Sequence, residues 1–220
     1  MSWFKNLAET YENVSEIVGI RDDLGNILLP IYHMAANTDI CVTIDGDGNF
    51  RRADESKENI IVPCTEDSAS RANNPSPHPL HEQVDFLALD DKKRAQYLSQ
   101  LSKWASYNNK VKSVYEYILS NTLLDDLSRS GVKTDNEKLR KLFVRFSVET
   151  STNDLTPQLW KDKSVVEAWQ DFCSQNQAED EGLCYVTGTL DNIRTKHPKG
   201  INPIVNHAKL ISCNDSTNYT

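Results

Sequence analysis

The spacing of hydrophobic positions changes along the chain and predicts a fold that mixes helices and strands. Over residues 2–18 apolar side chains recur every three or four positions, which predicts an amphipathic helix. Over residues 27–62 short apolar runs are separated by turn residues, which predicts several strands, with NFRRAD and NIIVP as separate ones. The stretch DGDGN at 45–49 supplies the positive-φ residues of a tight hairpin. The first third therefore favours a small antiparallel sheet with one helix.

A helical part follows this sheet. Residues 91–126 contain no glycine or proline and carry apolar residues at helical spacing, which predicts a long helix. An interruption is expected at Asn108 and Asn109. A second helix should end at Gly131.

The last third of the chain is again predicted to contain both strands and a helix. The stretch KLFVRFSVE places Leu142, Val144, Phe146 and Val148 on one face of a predicted strand. A helix should begin after Asp162, which is a suitable N-cap. Two further strands are expected near residues 183–187 and 207–213, on either side of a basic loop.

These patterns together predict an α+β fold, with a mainly antiparallel sheet and helices packed beside it. Because the chain stops just past a predicted strand, we expect residues 1–220 to be the N-terminal domain of a longer protein. The expected parts are a helix plus β-rich part at 1–63, a Pro-rich loop at 64–83, a helical part at 84–141 and a mixed strand and helix part at 142–220.

Composition narrows the class of protein. With 38% hydrophobic and 25% charged residues, the 220-residue chain is typical of a globular protein. No apolar run is long enough to cross a membrane, and the N-terminus lacks the apolar region of a signal peptide. Five dispersed cysteines without a CxxC pair favour the reducing cytoplasm. The net charge of −8 argues against a nonspecific nucleic-acid coat, so any binding of a polyanion must be local.

Residues 68–80, SASRANNPSPHPL, differ from the acidic chain around them. The prolines stiffen the segment, and the side-chain amides of Asn73 and Asn74 offer donors and acceptors for base edges. Arg71 suits a phosphate or a narrow minor groove. The residue types alone also fit a solvated surface loop with turn-forming asparagines.

Residues 187–203 form a second candidate. Arg194, Lys196 and Lys199 cluster there between glycines and a proline, which suits contacts with phosphates. A solvated cluster of surface charges has the same composition.

The sequence gives little support for metal binding or catalysis. Asp45, Asp47 and Asn49 imitate the start of a calcium-binding loop, but the glycine and glutamate that such a loop requires are missing. His78, His81 and Cys64 do not have the spacing of a standard zinc site. No nucleophile elbow, HExxH motif or phosphate-binding glycine loop occurs. We therefore expect no catalytic residue, no metal and no cofactor.

Several longer segments resemble a known family. LLPIYHMAANTDICVTIDGDGNF, VPCTEDSASRANNPSPHPLHEQVDFLA and LCYVTGTLDNIRTKHPKGINPIVNHAKLIS are similar to the large subunit of the type I-C CRISPR surveillance complex, Cascade. The resemblance runs in order along essentially the whole chain and covers the N-terminal part of that subunit. The family usually has Thr or Ser followed by Asn or Gly after the arginine, where this chain has Ala72, Asn73 and Asn74.

The resemblance implies a function. The large subunit lies beside the subunit that holds the 5′ handle of the guide RNA, and its N-terminal domain recognises the protospacer-adjacent motif on double-stranded DNA and helps to start unwinding. Guide pairing then reads the target, and a helicase-nuclease recruited later cuts it. The implied partners are target DNA, guide RNA and the other Cascade subunits, and viral inhibitor proteins are conceivable ones.

Two alternatives stay open at this point. One is a non-enzymatic scaffold that tethers other Cascade subunits without reading DNA. The other, more distant, is a metal nuclease that uses His78, His81 and Cys64.

Overall fold

A long hairpin is the framework of the fold. In this computed structural model strand β1 spans His33–Asp45 and strand β2 spans Phe50–Pro63, and the two pair antiparallel. The Asp45 carboxylate accepts the backbone N–H groups of Asp47 and Asn49 at 3.0 and 2.9 Å, and Gly48 has φ +80°. The predicted hairpin turn is confirmed, whereas NFRRAD and NIIVP are one continuous strand. The charged run between them is tolerated because β2 is an edge strand whose side chains there mostly face solvent.

The structure describes residues 3–71, 76–132, 136–151, 154–176, 181–183 and 188–192. They divide into two compact units. One unit comprises Ile31–Cys173, and the other comprises Met1–Pro30 with Ser174–Thr220.

Strand β4, Phe143–Glu149, turns the hairpin into a sheet. It runs parallel to β1, and the two-residue strand β3, Glu82–Gln83, pairs antiparallel on its other side, giving the order β2-β1-β4-β3. The expected mainly antiparallel α+β fold is confirmed, with β1 and β4 as a parallel pair. Both faces of β4 are buried from Phe143 to Val148, so the strand lies in the interior of its unit.

Helices cover one face of the sheet in this unit. The region predicted as one long helix contains α3, Asp91–Trp104, and α4, Asn109–Ser120, separated by a 3₁₀ turn. The expected break is confirmed, because Asn108 caps α4 through hydrogen bonds to the N–H groups of Lys110 and Val111. The other helices of the unit are α2, Glu66–Ser70, a π-helical turn, Asp85–Leu89, α5, Leu123–Arg129, α6, Asn136–Leu139, a 3₁₀ turn, Leu159–Lys161, and α7, Lys163–Gln175.

The hydrophobic core lies between the sheet and these helices. Val144, Phe146 and Val148, which the alternating pattern placed on one face, are fully buried there. Trp104 of α3 contacts Trp169 of α7 edge to face, with ring centroids 5.1 Å apart. Large aromatic residues from distant parts of the chain therefore hold the helical layer together.

The other unit contains the predicted N-terminal helix. Helix α1 spans Trp3–Asn13 and is followed by a 3₁₀ turn, Ser15–Ile17. Strands β5, Glu181–Leu183, and β6, Leu190–Asn192, pair antiparallel. The rest of the expected strand at 183–187, and all of the one at 207–213, lie outside the described residues. In the described part of the chain no helix is long and apolar enough to cross a membrane.

Alanine substitutions at Gly48 and Gly131 test whether the hairpin turn packs tightly on α4. Both have positive φ, but a Cβ at Gly48 would lie 2.8 Å from the carbonyl oxygen of Ser113, whereas a Cβ at Gly131 meets nothing within 4 Å. Gly131→Ala should therefore lower the free energy of unfolding by about 1–2 kcal/mol, the cost of the left-handed backbone. Gly48→Ala should lower it by at least about 1 kcal/mol more, because α4 has to shift. Equal losses in urea unfolding would show that the hairpin turn does not pack tightly on α4.

Candidate nucleic-acid interface

The first candidate segment begins with a short capped helix. Thr65 and Ser68 cap α2 reciprocally, each side chain accepting a backbone N–H of the other at 3.1 and 2.9 Å. The residue that follows the helix is Arg71, whose backbone is left-handed with φ +30°. Such a conformation in a non-glycine residue has to be held by contacts around it.

The buried carboxylate of Glu82 provides those contacts. Its Oε2 atom accepts a hydrogen bond from the Arg71 guanidinium and another from the backbone N–H of His78 at 2.7 Å. Its Oε1 atom accepts the backbone N–H of Gln83 at 2.5 Å. Arg71 and His78 flank the stretch that contains Asn73 and Asn74, so one carboxylate ties both of its flanks to the sheet. We call this arrangement of Arg71, His78 and Glu82 the Glu82 clamp.

Both charged groups of the clamp are largely removed from water. Glu82 is fully buried, and the Arg71 side chain is 21% exposed. Burial raises the pKa of the Glu82 carboxyl, while Arg71 and the two backbone donors oppose that rise. Removing either charged partner would leave the other in a poorly hydrated place without compensation.

The residues after the candidate stretch belong to the core. Pro77, His78, Pro79, Leu80 and His81 are all buried. Helix α3 holds them through side chains that reach the backbone, because Tyr97 donates to the Leu80 carbonyl at 2.6 Å and Trp104 to the Pro79 carbonyl at 3.2 Å. Pro77 and Pro79 thus stiffen an embedded support.

Both histidines of the segment are neutral parts of this support. His78 shares a hydrogen bond of 3.1 Å with Ser68, and His81 accepts the backbone N–H of Phe146 at 3.2 Å. Burial lowers the pKa of each to about 3. His78 thus bonds within the segment itself, to Ser68.

The geometry of the described residues does not support the metal-nuclease alternative. The described residues contain no group of three or more His, Cys, Asp or Glu side chains that could hold a metal ion. Burial raises the pKa of the Cys64 thiol to about 12, so that thiol is protonated at neutral pH.

Ion-paired side chains lie beside the clamp. The Arg71 guanidinium and the Lys93 ammonium each lie 5.1 Å from the centroid of the Phe86 ring. Lys93 and Arg140 both form ion pairs with Asp85. Residues from α2, the π-helical turn, α3 and the segment before β4 therefore meet at one place.

The candidate residues from the sequence are only partly within the described structure. Arg71 is described and lies in the clamp. Asn73 and Asn74 lie outside the described residues, as do Arg194, Lys196 and Lys199 of the second basic segment. The assignment of these residues to DNA therefore stays a prediction.

Glu82 is the residue that the sequence analysis missed. Its signal was weak, because a single glutamate after a histidine looks like an ordinary surface acid. The one available hint was its position inside an otherwise apolar and neutral stretch, PHPLHEQV, that leads into a strand.

The stability of the clamp can be measured by removing its carboxylate. Glu82→Ala leaves Arg71 without its partner and two backbone N–H groups without acceptors, so it should lower the free energy of unfolding by about 3 kcal/mol. The exposed Glu167 of α7 supplies a matched control, for which alanine should cost less than about 0.5 kcal/mol. Equal effects of the two substitutions in chemical denaturation would contradict the role of the clamp.

The family comparison covers almost the entire chain. Residues 7–220 match the family described as CRISPR-associated protein (Cas_Csd1). No curated protein gives a significant match. The match confirms the resemblance to the type I-C Cascade large subunit that the SASR…PHPL and HPK segments indicated. The chain belongs to the Cas_Csd1 family of CRISPR-associated proteins.

Proposed function

We propose that this Cascade component is a non-enzymatic module that reads the protospacer-adjacent motif on double-stranded DNA and helps to start unwinding. The observation that carries the proposal is the Glu82 clamp, in which one buried carboxylate binds both Arg71 and the backbone of His78. Fixing both flanks of a short reading segment lowers the entropy lost when it binds.

Asn73 and Asn74 are proposed to read bases. The asparagine side chain is short and neutral and carries both donors and an acceptor, so it enters a groove without the desolvation cost of a charge. Arg71 is proposed to grip the neighbouring phosphate or groove. Its guanidinium has five N–H donors. The bond to Glu82 uses one on Nη2 and the Nε donor is buried, so any donor for a ligand comes from the remaining N–H groups of Nη1 and Nη2.

The remaining steps are proposed to belong to partners. The guide RNA and the other Cascade subunits read the target sequence beyond the short motif, in the cytoplasm where the target DNA is met, and a helicase-nuclease recruited later cuts it. Weak binding by this module alone is sufficient, because the assembled complex raises its effective concentration at the DNA.

A scaffold function is the second candidate, and one surface favours it. A depression in the unit of residues 31–173 is lined by more acidic than basic side chains. The acidic ones are Asp45, Asp47, Glu116, Glu149 and Asp154, and the basic ones are Arg51 and Lys112. Such a surface repels DNA and suits a basic region of a neighbouring subunit. Both functions are compatible in one subunit, but only the first requires motif discrimination.

Replacing Asn73 and Asn74 by alanine tests the reading of bases. In reconstituted Cascade the double variant should lose about 1–3 kcal/mol of binding free energy for each lost base contact on the correct motif, and much less on wrong motifs. Equilibrium binding to duplexes with permuted motifs measures both quantities. Gln96 and Gln100 of α3 offer a control that removes two side-chain amides elsewhere. A double variant that kept the original ratio of correct-motif to wrong-motif affinity would exclude base reading by this segment, even if its overall affinity fell.

Replacing Arg194, Lys196 and Lys199 by alanine tests the second basic segment. Contacts with the backbone carry no base information, so binding should weaken about equally for every motif. The salt dependence should flatten by a slope of roughly one for each lost contact. A control with alanine at the exposed Lys57, Lys103 and Lys163 removes the same net charge. If the two triple variants bind alike, the basic segment does not contact nucleic acid.

A further inference from the structure

We infer that helix α1 presents a docking surface for another Cascade subunit, one with an apolar groove bordered by lysine or arginine side chains. The surface consists of Trp3 and Leu7, with Glu12 and Glu16 further along the same segment, and we call it the α1 surface. The inference concerns assembly of the complex and rests on membership of the Cas_Csd1 family. It does not depend on the proposed reading of DNA.

Helix α1 has the sequence of a helix that packs on one side. Phe4, Leu7, Tyr11 and Val14 recur every three or four positions, so their apolar side chains lie on one side of the helix. Nevertheless none of the eleven residues of α1 is buried. A helix of this length is marginal in water without packing. The uncovered part of its apolar side is therefore a candidate contact for a partner.

Another part of this side is held by the segment that follows. The Tyr11 hydroxyl donates to the Leu29 carbonyl at 3.0 Å, and the Tyr11 side chain is half-buried. Trp3 and Leu7, which lie one helical turn apart, are 60% and 49% exposed. The Trp3 ring contacts the Phe4 ring edge to face, with centroids 5.1 Å apart. The helix is thus fixed to its own segment, while two large apolar side chains stay in contact with solvent.

Exposed apolar side chains continue after α1. Ile17, Ile20 and Leu24 are all exposed. Residues 3–24 therefore contain five large apolar side chains in contact with solvent, whereas the described part of residues 31–173 contains four, although it is several times longer. Such a concentration of exposed apolar surface is typical of interaction sites.

The unit that contains α1 is acidic. Glu12 and Glu16 are exposed and neither forms an ion pair with a described residue, whereas Glu9 pairs with Lys5 at 3.8 Å. Residues 1–30 carry five acidic side chains and two basic ones. The basic cluster of the same unit does not reverse this balance, because the complete unit has ten acidic residues and six basic ones. The α1 surface therefore combines apolar side chains with excess negative charge.

This charge selects a protein subunit as the occupant. The phosphates of a nucleic acid or of an anionic membrane would be repelled, and a second copy of the chain would bring two acidic surfaces together. A groove that receives one side of an amphipathic helix offers apolar pockets, and lysine or arginine at its border complements Glu12 and Glu16. Subunits that hold an RNA carry basic residues because they neutralise its phosphates. Membership of the family makes this chain a component of Cascade, so such subunits are its neighbours.

Alanine at Trp3 and Leu7 tests the apolar part of the surface. The measurement is the dissociation constant of the purified chain for Cascade assembled without this subunit. The double variant should bind at least about tenfold more weakly, since loss of a large aromatic anchor at an interface has an effect of this order. The control is alanine at Leu119 and Leu155, two exposed leucines of the other unit, and should bind like the unaltered chain. Equal affinities of the two double variants would overturn the inference.

Reversing the charge at Glu12 and Glu16 tests the complementarity. Lysine at both positions should weaken assembly at low ionic strength, and it should remove most of the loss of affinity that the unaltered chain shows as salt is added. Lysine at the exposed Glu137 and Glu167 makes the same change of charge elsewhere and should keep the original salt dependence. A reversal that tightens assembly would show that the partner surface is acidic, which contradicts the inference.

Two measurements on the isolated chain exclude the other occupants. The midpoint of urea unfolding should be the same with and without Trp3 and Leu7; a lower midpoint with unchanged assembly would assign these side chains to the fold of the chain itself. Sedimentation should show a monomer, and a dimer that the alanine variant abolishes would assign the surface to a second copy. Either result overturns the inference.

If the alanine variant both unfolds more easily and assembles weakly, the charge-reversal variant decides. Motif discrimination is measured on complexes that do assemble, so a failure of this inference leaves the proposed reading of DNA untouched.

Discussion

The three hydrogen bonds to the buried carboxylate of Glu82 are the constraint on which the candidate interface depends. They fix the positions of three parts of the chain relative to one another. These parts are the left-handed residue Arg71 after α2, the backbone of His78 and the short strand β3. A buried charge contributes little net stability, because its desolvation offsets the ion pair. Its value here is specificity of conformation. The clamp orients the flanks of one short segment, and the core residues behind it provide the rigid support.

That support depends on strand β4. The strand lies between β1 and β3 with both faces buried, and on the second face the buried Arg145 bonds to Thr38 and Ser56. His81 accepts a backbone hydrogen bond from Phe146 of the same strand. The sheet, the prolines and the clamp therefore form one continuous support.

The features that the sequence predicted correctly are those determined by residues close together along the chain. The hairpin turn at 45–49, the break at Asn108 and the α+β class follow from turn chemistry, capping and the spacing of apolar residues. The parallel pairing of β4 with β1 joins segments about a hundred residues apart, for which no local signal exists. The same is true of Glu82 and of the convergence of Lys93 and Arg140 on Asp85, because ion pairs between distant residues appear only when the fold is known. The continuity of β2 was missed since its charged run looks like a connection, although an edge strand tolerates it.

The central claim is that the stretch between Arg71 and His78 meets the bases of the motif. Site-specific crosslinking tests it most directly. A photoreactive amino acid replaces Asn73 in reconstituted Cascade, which is then bound to a duplex that carries the correct motif. The account predicts crosslinks to nucleotides of the motif, and their loss when the motif is changed. Crosslinks confined to other protein subunits, or crosslinks to DNA that do not depend on the motif, would contradict it.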